Sequence, residues 1–273
     1  MSDAMGDRLK NYESVEAQRR CMDLLPIIGR LDGKGFSKFT RGLKRPYDKQ
    51  LSDLMIETTK YLVEETNAVC GYTQSDEITL AWYSSTTESQ VYFDGRIQKM
   101  VSILAAKCSV RFNKLLPNYL PSKVDSEPVF DCRIWNVPTL EEGANCFLWR
   151  EFDATKNSIS MAAQEFYSHN ELMDKNGSDK QEMLFVKGVN WNDYPAFFRR
   201  GSYIQRRKIA KKFSTEELEK LPAKHEARIN PNLIIERSEY RVLDMPPFNK
   251  VENRVGVIFN GEEPITKENN AND

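Results

Sequence analysis

The sequence predicts an α+β fold in which a ferredoxin-type βαββαβ sheet is followed by a mainly helical C-terminal extension. Up to about residue 137, strand and helix patterns follow one another in the order strand, helix, strand, strand, helix, strand, which is the order of the split βαβ unit. From Thr139 onward, apolar residues recur at helical spacing instead. These observations divide the chain into a domain at 1–138, an extension with a basic strand or loop packed on it at 139–260, and a disordered tail at 261–273.

The predicted elements of the first domain follow from hydrophobic spacing and from turn and cap residues. Strand patterns cover residues 24–31, 69–73, 78–83 and 129–137, and helix patterns cover 48–65 and 92–116. The first strand pattern ends in Asp32-Gly33, a sequence typical of turns. Asp48 is placed to cap the first helix, and Pro117 is predicted to end the second.

The extension has a different pattern. Thr139 and Glu142 fit a capping box ahead of a long helix to about Tyr167, and a polar break follows near Asn170. Further helices are predicted at 180–186 and 195–200, and strands at 202–209 and 233–243. The last residues, GEEPITKENNAND, are predominantly polar and are predicted to fray.

The overall composition excludes several classes of protein. The chain has 273 residues, a net charge of −1 and no run of 18 apolar residues, so no membrane span is expected. Its start lacks the apolar segment of a secretory signal, and an odd number of cysteines without a CxxC pair favours reduced thiols in the cytoplasm. Because the only histidines are His169 and His225, a zinc site and a Ser-His-Asp triad are both disfavoured. Carboxylates and basic residues are the expected catalytic groups.

Two carboxylates are predicted to meet at one edge of the sheet. Asp32 follows the first strand, and Asp76 lies in the tight connection between the second and third strands. In the predicted topology these two points share one edge, although they are far apart in sequence. Paired acids of this kind suit Mg²⁺, which takes oxygen ligands and holds substrate phosphates. Both residues are also typical of turns, so the two interpretations stay open at this point.

Basic residues are expected close to these acids. The loop after the first strand carries five of them and no acid: Lys34, Lys38, Arg41, Lys44 and Arg45. Arg96 and Lys99 lie one turn apart on the long helix, and Arg30 and Arg133 lie in or beside strands. Such clusters suit triphosphates, with a solvated basic surface as the alternative.

A second basic run lies in the extension, between Arg199 and Lys212, and contains an aromatic residue, Tyr203. Basic side chains on a strand or loop with an aromatic residue for stacking suit contact with an RNA backbone. An ordinary solvated face is the alternative. The candidate RNA contacts in this run are Arg199, Arg200, Arg206, Arg207 and Lys208.

Two stretches, RLDGKGFSKF and YTQSDE, resemble at this spacing the signature of the tRNA(His) guanylyltransferase family of 3′–5′ polymerases. The resemblance covers most of residues 5–205. Further agreement comes from short segments in the family's order: MGDRLKNYE, Arg96 with Lys99, FDCR at 130–133, Trp149-Arg150 with Asp153, KQEMLF at 180–185, and NWN at 190–192 ahead of RRG.

The resemblance implies a polymerase-like palm and assigns roles to residues. Asp32 and Asp76, with the Gly33 carbonyl, would hold two Mg²⁺ ions, and Ser75 and Glu77 belong to the same catalytic motif. Lys180 and Asn192 match positions that support catalysis, and Arg45 stands where the family usually has a lysine that contacts triphosphate. The implied nucleotide-binding residues are Arg30, Lys34, Gly35, Phe36, Ser37, Arg45, Arg96, Lys99, Arg133 and Asn157.

One departure from the family pattern bears on function. Where eukaryotic members carry His-Ile-Asn-Asn, this chain reads Thr155-Lys156-Asn157-Ser158. That resembles the bacterial, archaeal and phage "guanylyltransferase-like" branch, which implies template-directed repair of tRNA 5′ ends. The resemblance further implies ATP and GTP as substrates, tRNA as partner and a homotetramer. A palm-type nucleotidyl cyclase and a non-catalytic RNA-binding module are the alternatives.

Overall fold

The structure is a computed structural model that describes residues 4–230 and 232–267. Its strands are β1 (Ile27–Gly33), β2 (Cys70–Gln74), β3 (Glu77–Trp82), β4 (Phe130–Asn136), β5 (Ser202–Lys212) and β6 (Ile234–Val242). Its α-helices are α1 (Ala4–Ala17), α2 (Phe36–Phe39), α3 (Lys49–Thr66), α4 (Ile97–Tyr119), α5 (Leu140–Ala163), α6 (His169–Leu172), α7 (Gly177–Val186), α8 (Ala196–Arg200), α9 (Thr215–Lys220) and α10 (Glu226–Ile229). A π-helical turn spans Gly256–Asn260.

The strands form one antiparallel sheet in the order β4-β1-β3-β2-β5-β6. The first four positions reproduce the ferredoxin-type order, so the predicted α+β fold class is confirmed. Strand β5 continues the same sheet by pairing residues 202–204 with 71–73 of β2. The basic strand of the extension therefore lies within the sheet, beside the strand that leads to Asp76.

Two predicted helix boundaries are wrong. The long helix begins at Ile97, because Phe93 and Asp94 adopt positive φ angles of 49° and 56° in a preceding 3₁₀ turn. It also passes through Pro117 and ends at Tyr119, where the Leu120 N–H donates to the Leu116 carbonyl. A proline so close to a helix end removes one backbone hydrogen bond and leaves the last turn in place.

The two faces of the sheet are covered by different elements. Helices α3 and α4 cover one face, where Leu31, Ile78 and Leu80 are buried. Helix α5 and the segment 245–259 cover the other face, on which Ile28 packs. Because side chains alternate along a strand, Arg30 and Asp32 share the α5 face with Ile28.

Two further observations concern the termini and membranes. None of the helices in the described ranges is both long and apolar enough to span a bilayer. The predicted frayed tail begins at Gly261, and residues 268–273 of it lie outside the described part. Within the part that is described, Thr266 forms a β-bridge with Val251, and the Glu252 N–H donates to the Ile265 carbonyl at 2.9 Å.

Candidate functional site

The end of β1 and the β2–β3 turn form one edge of the sheet and bring two acids together. Asp32 is the register partner of Glu77, the residue after Asp76. The Gly33 N–H donates to the backbone carbonyl of Asp76 at 3.2 Å. Ser75 adopts a left-handed φ of 53° in the tight turn. The predicted co-location of Asp32 and Asp76 is therefore confirmed.

The Asp76 carboxyl is in an unfavourable electrostatic environment. Burial raises its pKa, and the nearby charges of Asp32 and Glu77 raise it further. The Ser75 hydroxyl donates to Asp76 Oδ1 at 3.0 Å, and this hydrogen bond lowers the pKa of Asp76. Within the described ranges no basic side chain forms an ion pair with Asp76. Its charge therefore lacks a partner that a bound cation would supply.

The oxygen donors at this edge fit Mg²⁺. Asp32 and Asp76 supply two carboxylates, and the described residues contain no cluster of three or more His, Cys, Asp or Glu side chains that would form a complete protein cage. Mg²⁺ is commonly held by one or two carboxylates, with substrate phosphates and water completing its shell. Gly33 leaves no room for a side chain here, because an added Cβ would lie 2.2 Å from the Phe36 ring.

The negative charge of Glu77, the residue after Asp76, is already balanced by two arginine side chains. Its Oε1 lies 2.6 Å from Arg150 Nε and 3.6 Å from Arg30 Nε, and its side chain is 14% exposed. Arg150 also donates to Asp153 at 2.8 Å. Glu77 therefore joins the catalytic edge to α5. Arg150 and Asp153 are site residues that the motif-based assignment left without a role, and their three-residue spacing on a helix was the available signal.

Two arginines lie at this edge, Arg133 beside Asp32 and Arg30 beside Glu77. Arg133 Nη2 lies 3.9 Å from Asp32 and 3.7 Å from Asp131. The Arg30 guanidinium packs against Trp149 at 4.5 Å and Trp135 at 5.5 Å, and burial lowers its pKa. Arg30 Nε and Nη2 are buried and make no hydrogen bond within the described chain. Arg30 Nε lies 3.6 Å from Glu77, and guanidinium donors that make no hydrogen bond are suited to phosphate oxygens.

The basic loop lines a cleft on the opposite side of the acids. This cleft has a volume of about 430 Å³ and lies between the loop, the β2–β3 turn, the end of α5 and α8. Its lining includes Ser37, Lys44, Arg45, Gln74 and Ser75.

The remaining predicted residues of the loop are placed differently. Lys34 and Gly35 are exposed. The Phe36 side chain is buried against Phe39, Phe112 and Phe130. Only the backbone of Phe36 is therefore available to a nucleotide.

Arg96 and Lys99 do not lie near the acids. They stand at the start of α4, where the Ile97 N–H donates to the Arg19 carbonyl. The opposite end of α4 lies beside the start of β4, since Asn113 Nδ2 donates to the Pro128 carbonyl at 2.8 Å. About 25 Å of helix separates the two ends. A helix that leads from the end of β3 to the start of β4 must begin at the edge remote from Asp32. The prediction that Arg96 and Lys99 lie close to the two acids of the same chain is therefore wrong.

Lys180, Asn157 and Asn192 group around the second half of α5. Lys180 Nζ lies 3.1 Å from Ser160 Oγ, and Trp191, the neighbour of Asn192, donates to Ser158 at 3.2 Å. Ser160 lies about 15 Å beyond Arg150 along the helix. These three residues do not line the cleft, and within the described ranges none of them pairs with Asp32 or Asp76.

Most of the candidate RNA contacts in the second basic run already interact with other residues of this chain. Arg199 packs on Trp191 at 5.4 Å, and Arg200 donates to the Met245 carbonyl at 3.3 Å. Arg207 donates to the carbonyls of Gly261 and Glu262, and Lys208 pairs with Glu236 at 3.0 Å. Arg206 is exposed and has no ion pair in the described ranges.

Glu151 is a buried acid that no sequence motif signals. Its side chain accepts hydrogen bonds from the Tyr203 hydroxyl at 2.9 Å and the Phe248 N–H at 2.8 Å. Burial raises its pKa. Glu151 joins α5 to β5 and to the C-terminal segment behind the site.

Comparison with known proteins is consistent with this geometry. A family model for tRNAHis guanylyltransferase matches residues 6–138. A bacterial tRNA(His) guanylyltransferase-like protein solved in complex with ATP is 32% identical, with a TM-score of 0.77 over 94% of this chain and 99% of that one. A bacterial protein of the same description in complex with GTP is 31% identical, with a TM-score of 0.70 over 93% and 99% of the two chains. The tRNA(His) guanylyltransferase of Neurospora crassa is 29% identical over 77% of this chain and 79% of its own.

Proposed function

The chain belongs to the tRNA(His) guanylyltransferase family of nucleotidyltransferases with a palm-like fold, and we propose that it adds nucleotides to the 5′ end of tRNA in template-directed repair. Thr155 stands where eukaryotic members have a histidine, which favours repair over a dedicated untemplated guanine addition. The similarity to bacterial guanylyltransferase-like proteins supports the same assignment.

The proposed reaction has two steps. The 5′-monophosphate of the RNA bonds to the α-phosphorus of ATP, and pyrophosphate leaves. The 3′-hydroxyl of an incoming nucleoside triphosphate, with GTP as the preferred one, then loses its proton and bonds to the activated 5′-phosphorus, and AMP leaves. With a 5′-triphosphate RNA, pyrophosphate leaves in place of AMP. Both steps are phosphoryl transfers, in which positioning and charge neutralisation dominate.

The residues at this sheet edge would provide both the positioning and the charge neutralisation. Asp32, Asp76 and the Gly33 carbonyl would hold two Mg²⁺ ions, which when bound supply a lowered pKa for the attacking hydroxyl and neutralise triphosphate charge. Arg30 and Arg133 would bind phosphate oxygens on the β4 side of the acids. The cleft lined by Arg45 would take the triphosphate on the β2 side.

The observation that carries the proposal is the convergence of Asp32 and Asp76 at one sheet edge, where Arg133 Nη2 lies 3.9 Å from Asp32 and no basic side chain of the described ranges pairs with Asp76. The test is 5′-end extension of full-length and 5′-truncated tRNAs with each nucleotide in turn. Asp76→Ala should abolish Mg²⁺-dependent addition, whereas Asp53→Ala, which removes a surface acid paired with Lys49, should not. Addition by Asp76→Ala at near the wild-type rate would disprove the metal assignment.

Incubation with GTP alone and a tRNA-binding measurement separate the alternatives. A cyclic product from GTP alone would identify a nucleotidyl cyclase. Binding of tRNA without incorporation on any truncated substrate would identify an RNA-binding module. Either result would overturn the proposed reaction.

Assembly and location rest on resemblance and composition. We propose a homotetramer, from the family resemblance, and a cytoplasmic protein, from the free cysteines. Light scattering of the purified protein tests the first proposal. A mass of one or two chains at working concentration would contradict it.

A further inference from the structure

Helix α5 exposes two aromatic residues and a lysine in one row. Trp149 is 50% exposed and Phe152 is 45% exposed, and Lys156 is also exposed. Their spacing of three and four residues places them on one side of the helix. We call these three residues the α5 platform. The side of α5 that packs on the sheet carries Phe147, by contrast, which is fully buried.

The platform begins at the catalytic edge. The Trp149 ring centroid lies 4.5 Å from the Arg30 guanidinium carbon and 4.7 Å from that of Arg150. Arg30 precedes Asp32 by two residues on β1, so the two side chains lie on the same face of the sheet. An RNA strand lying on Trp149 therefore enters the site beside the Arg30 guanidinium, whose Nη2 makes no hydrogen bond within the described residues.

The Trp149 end of the platform lies on the β4 side of the acids, whereas the far end of α5 lines the cleft at Met161 and Gln164. Arg30 contacts both Trp149 and Trp135, and Trp135 belongs to β4 at one margin of the sheet. The cleft is lined by Gln74 and Ser75, which end β2 on the other side of β1 and β3. With a nucleoside triphosphate in the cleft, the Trp149 end of the platform offers the second substrate a route to the acids from the β4 side.

From this arrangement we infer that the α5 platform binds the 5′-terminal nucleotides of the RNA substrate, with a base stacked on Trp149 and the next contact at Phe152. The inference rests on the proposed function and adds the location of its RNA substrate. Aromatic rings exposed in a row beside cationic groups are suited to nucleotides that are not base-paired, because every base has a π-face. Lys156, Arg30 and Arg133 supply positive charge for the phosphates.

The kinetic test compares variants on 5′-monophosphorylated tRNA that lacks its first nucleotide. Trp149→Ala should raise KM for this tRNA by about fivefold to a hundredfold, the range expected for loss of one stacked base, and leave KM for GTP unchanged. Trp149→Phe should restore most of the loss. The control is Phe166→Ala, which removes a ring of similar exposure, 43%, beyond the end of α5, and it should leave both values unchanged.

Equal KM values for Trp149→Ala and Phe166→Ala, or a parallel rise in KM for GTP, would overturn the inference. A change in oligomeric mass on Trp149→Ala with unchanged tRNA affinity would show a protein-contact surface instead, and would also overturn it.

A binding measurement separates this inference from the reaction itself. Addition of the same tRNA without nucleotides should quench tryptophan fluorescence. Trp149→Phe should remove most of the quenching, while Trp82→Phe, at a buried tryptophan, should retain it. Quenching that depends on Trp149 in a protein without extension activity would support the platform and contradict the reaction. Extension activity with quenching that does not depend on Trp149 would support the reaction and contradict the platform.

Discussion

Arg150 Nε donates to Glu77 Oε1 at 2.6 Å, and this contact joins helix α5 to the strand that follows the catalytic turn. Both side chains are nearly buried, with 13% and 14% exposed. The second cation near Glu77, Arg30, is farther away at 3.6 Å. The contact between Glu77 and Arg150 therefore fixes the position of α5 relative to Asp32 and Asp76.

Loss of this contact should destabilise the protein. Arg150→Ala leaves a buried carboxylate without its nearest partner, which costs about 3 kcal/mol of the free energy of unfolding. Lys49→Ala, which breaks an exposed pair with Asp53, should cost less than about 1 kcal/mol. Urea unfolding of both variants measures the difference. Equal costs would show that the Glu77–Arg150 contact behaves as a surface pair.

Asp76→Asn should stabilise the metal-free protein at pH 7. Burial raises the pKa of Asp76 in the folded state, so protons bind the folded protein more tightly than the unfolded chain. The contribution of this carboxyl to stability is therefore fully present below its unfolded pKa of about 3.9, and is lost as pH rises through the raised folded value. The variant should have the higher Tm at neutral pH, and this advantage should vanish near pH 3.

The response to Mg²⁺ provides the matching measurement. A cation that binds the folded state stabilises it by mass action, so Mg²⁺ should raise the Tm of the wild-type protein more than that of Asp76→Asn. An identical Tm increase in both proteins would place the responsible ion elsewhere.

Glu151→Ala should be strongly destabilising. The substitution leaves the Tyr203 hydroxyl and the Phe248 N–H buried without an acceptor, at a cost of about 1–3 kcal/mol for each group. Glu151→Gln retains an acceptor oxygen and should cost less. Glu141→Ala, an exposed change in the first turn of the same helix, should cost at most about 1 kcal/mol. Guanidinium unfolding gives the three values, and a small cost for Glu151→Ala would contradict the role of this acid.

Arg206 and Lys208 should differ as RNA contacts. Arg206 is exposed and forms no ion pair among the described residues, whereas Lys208 is paired with Glu236 across the strands. Arg206→Ala should weaken tRNA binding and reduce the slope of log affinity against log salt by about 1. Lys208→Ala should change the slope less, because its charge is already partly neutralised. Binding isotherms at several salt concentrations test both, and equal slopes for the two variants would contradict the distinction.

The sequence by itself determined the order of the six elements β1, α3, β2, β3, α4 and β4 and, through it, the meeting of Asp32 and Asp76. This was possible because hydrophobic spacing and turn residues act locally, and because a βαββαβ order leaves one sheet edge for both acids. The basic residues near the predicted edge pointed to Arg30, Arg133 and Arg45, and the structure places Arg133 beside Asp32, Arg30 beside Glu77 and Arg45 in the cleft.

Only the tertiary structure decided which of these charges act together. It places Arg96 and Lys99 at the remote edge, binds Glu77 to Arg150, and buries Glu151 against Tyr203. Local residue spacing predicts none of these relationships, because each of them depends on elements that are distant in the chain. The charge state and freedom of each side chain depend on burial and on such partners, and both exist only after the sheet and α5 have packed together.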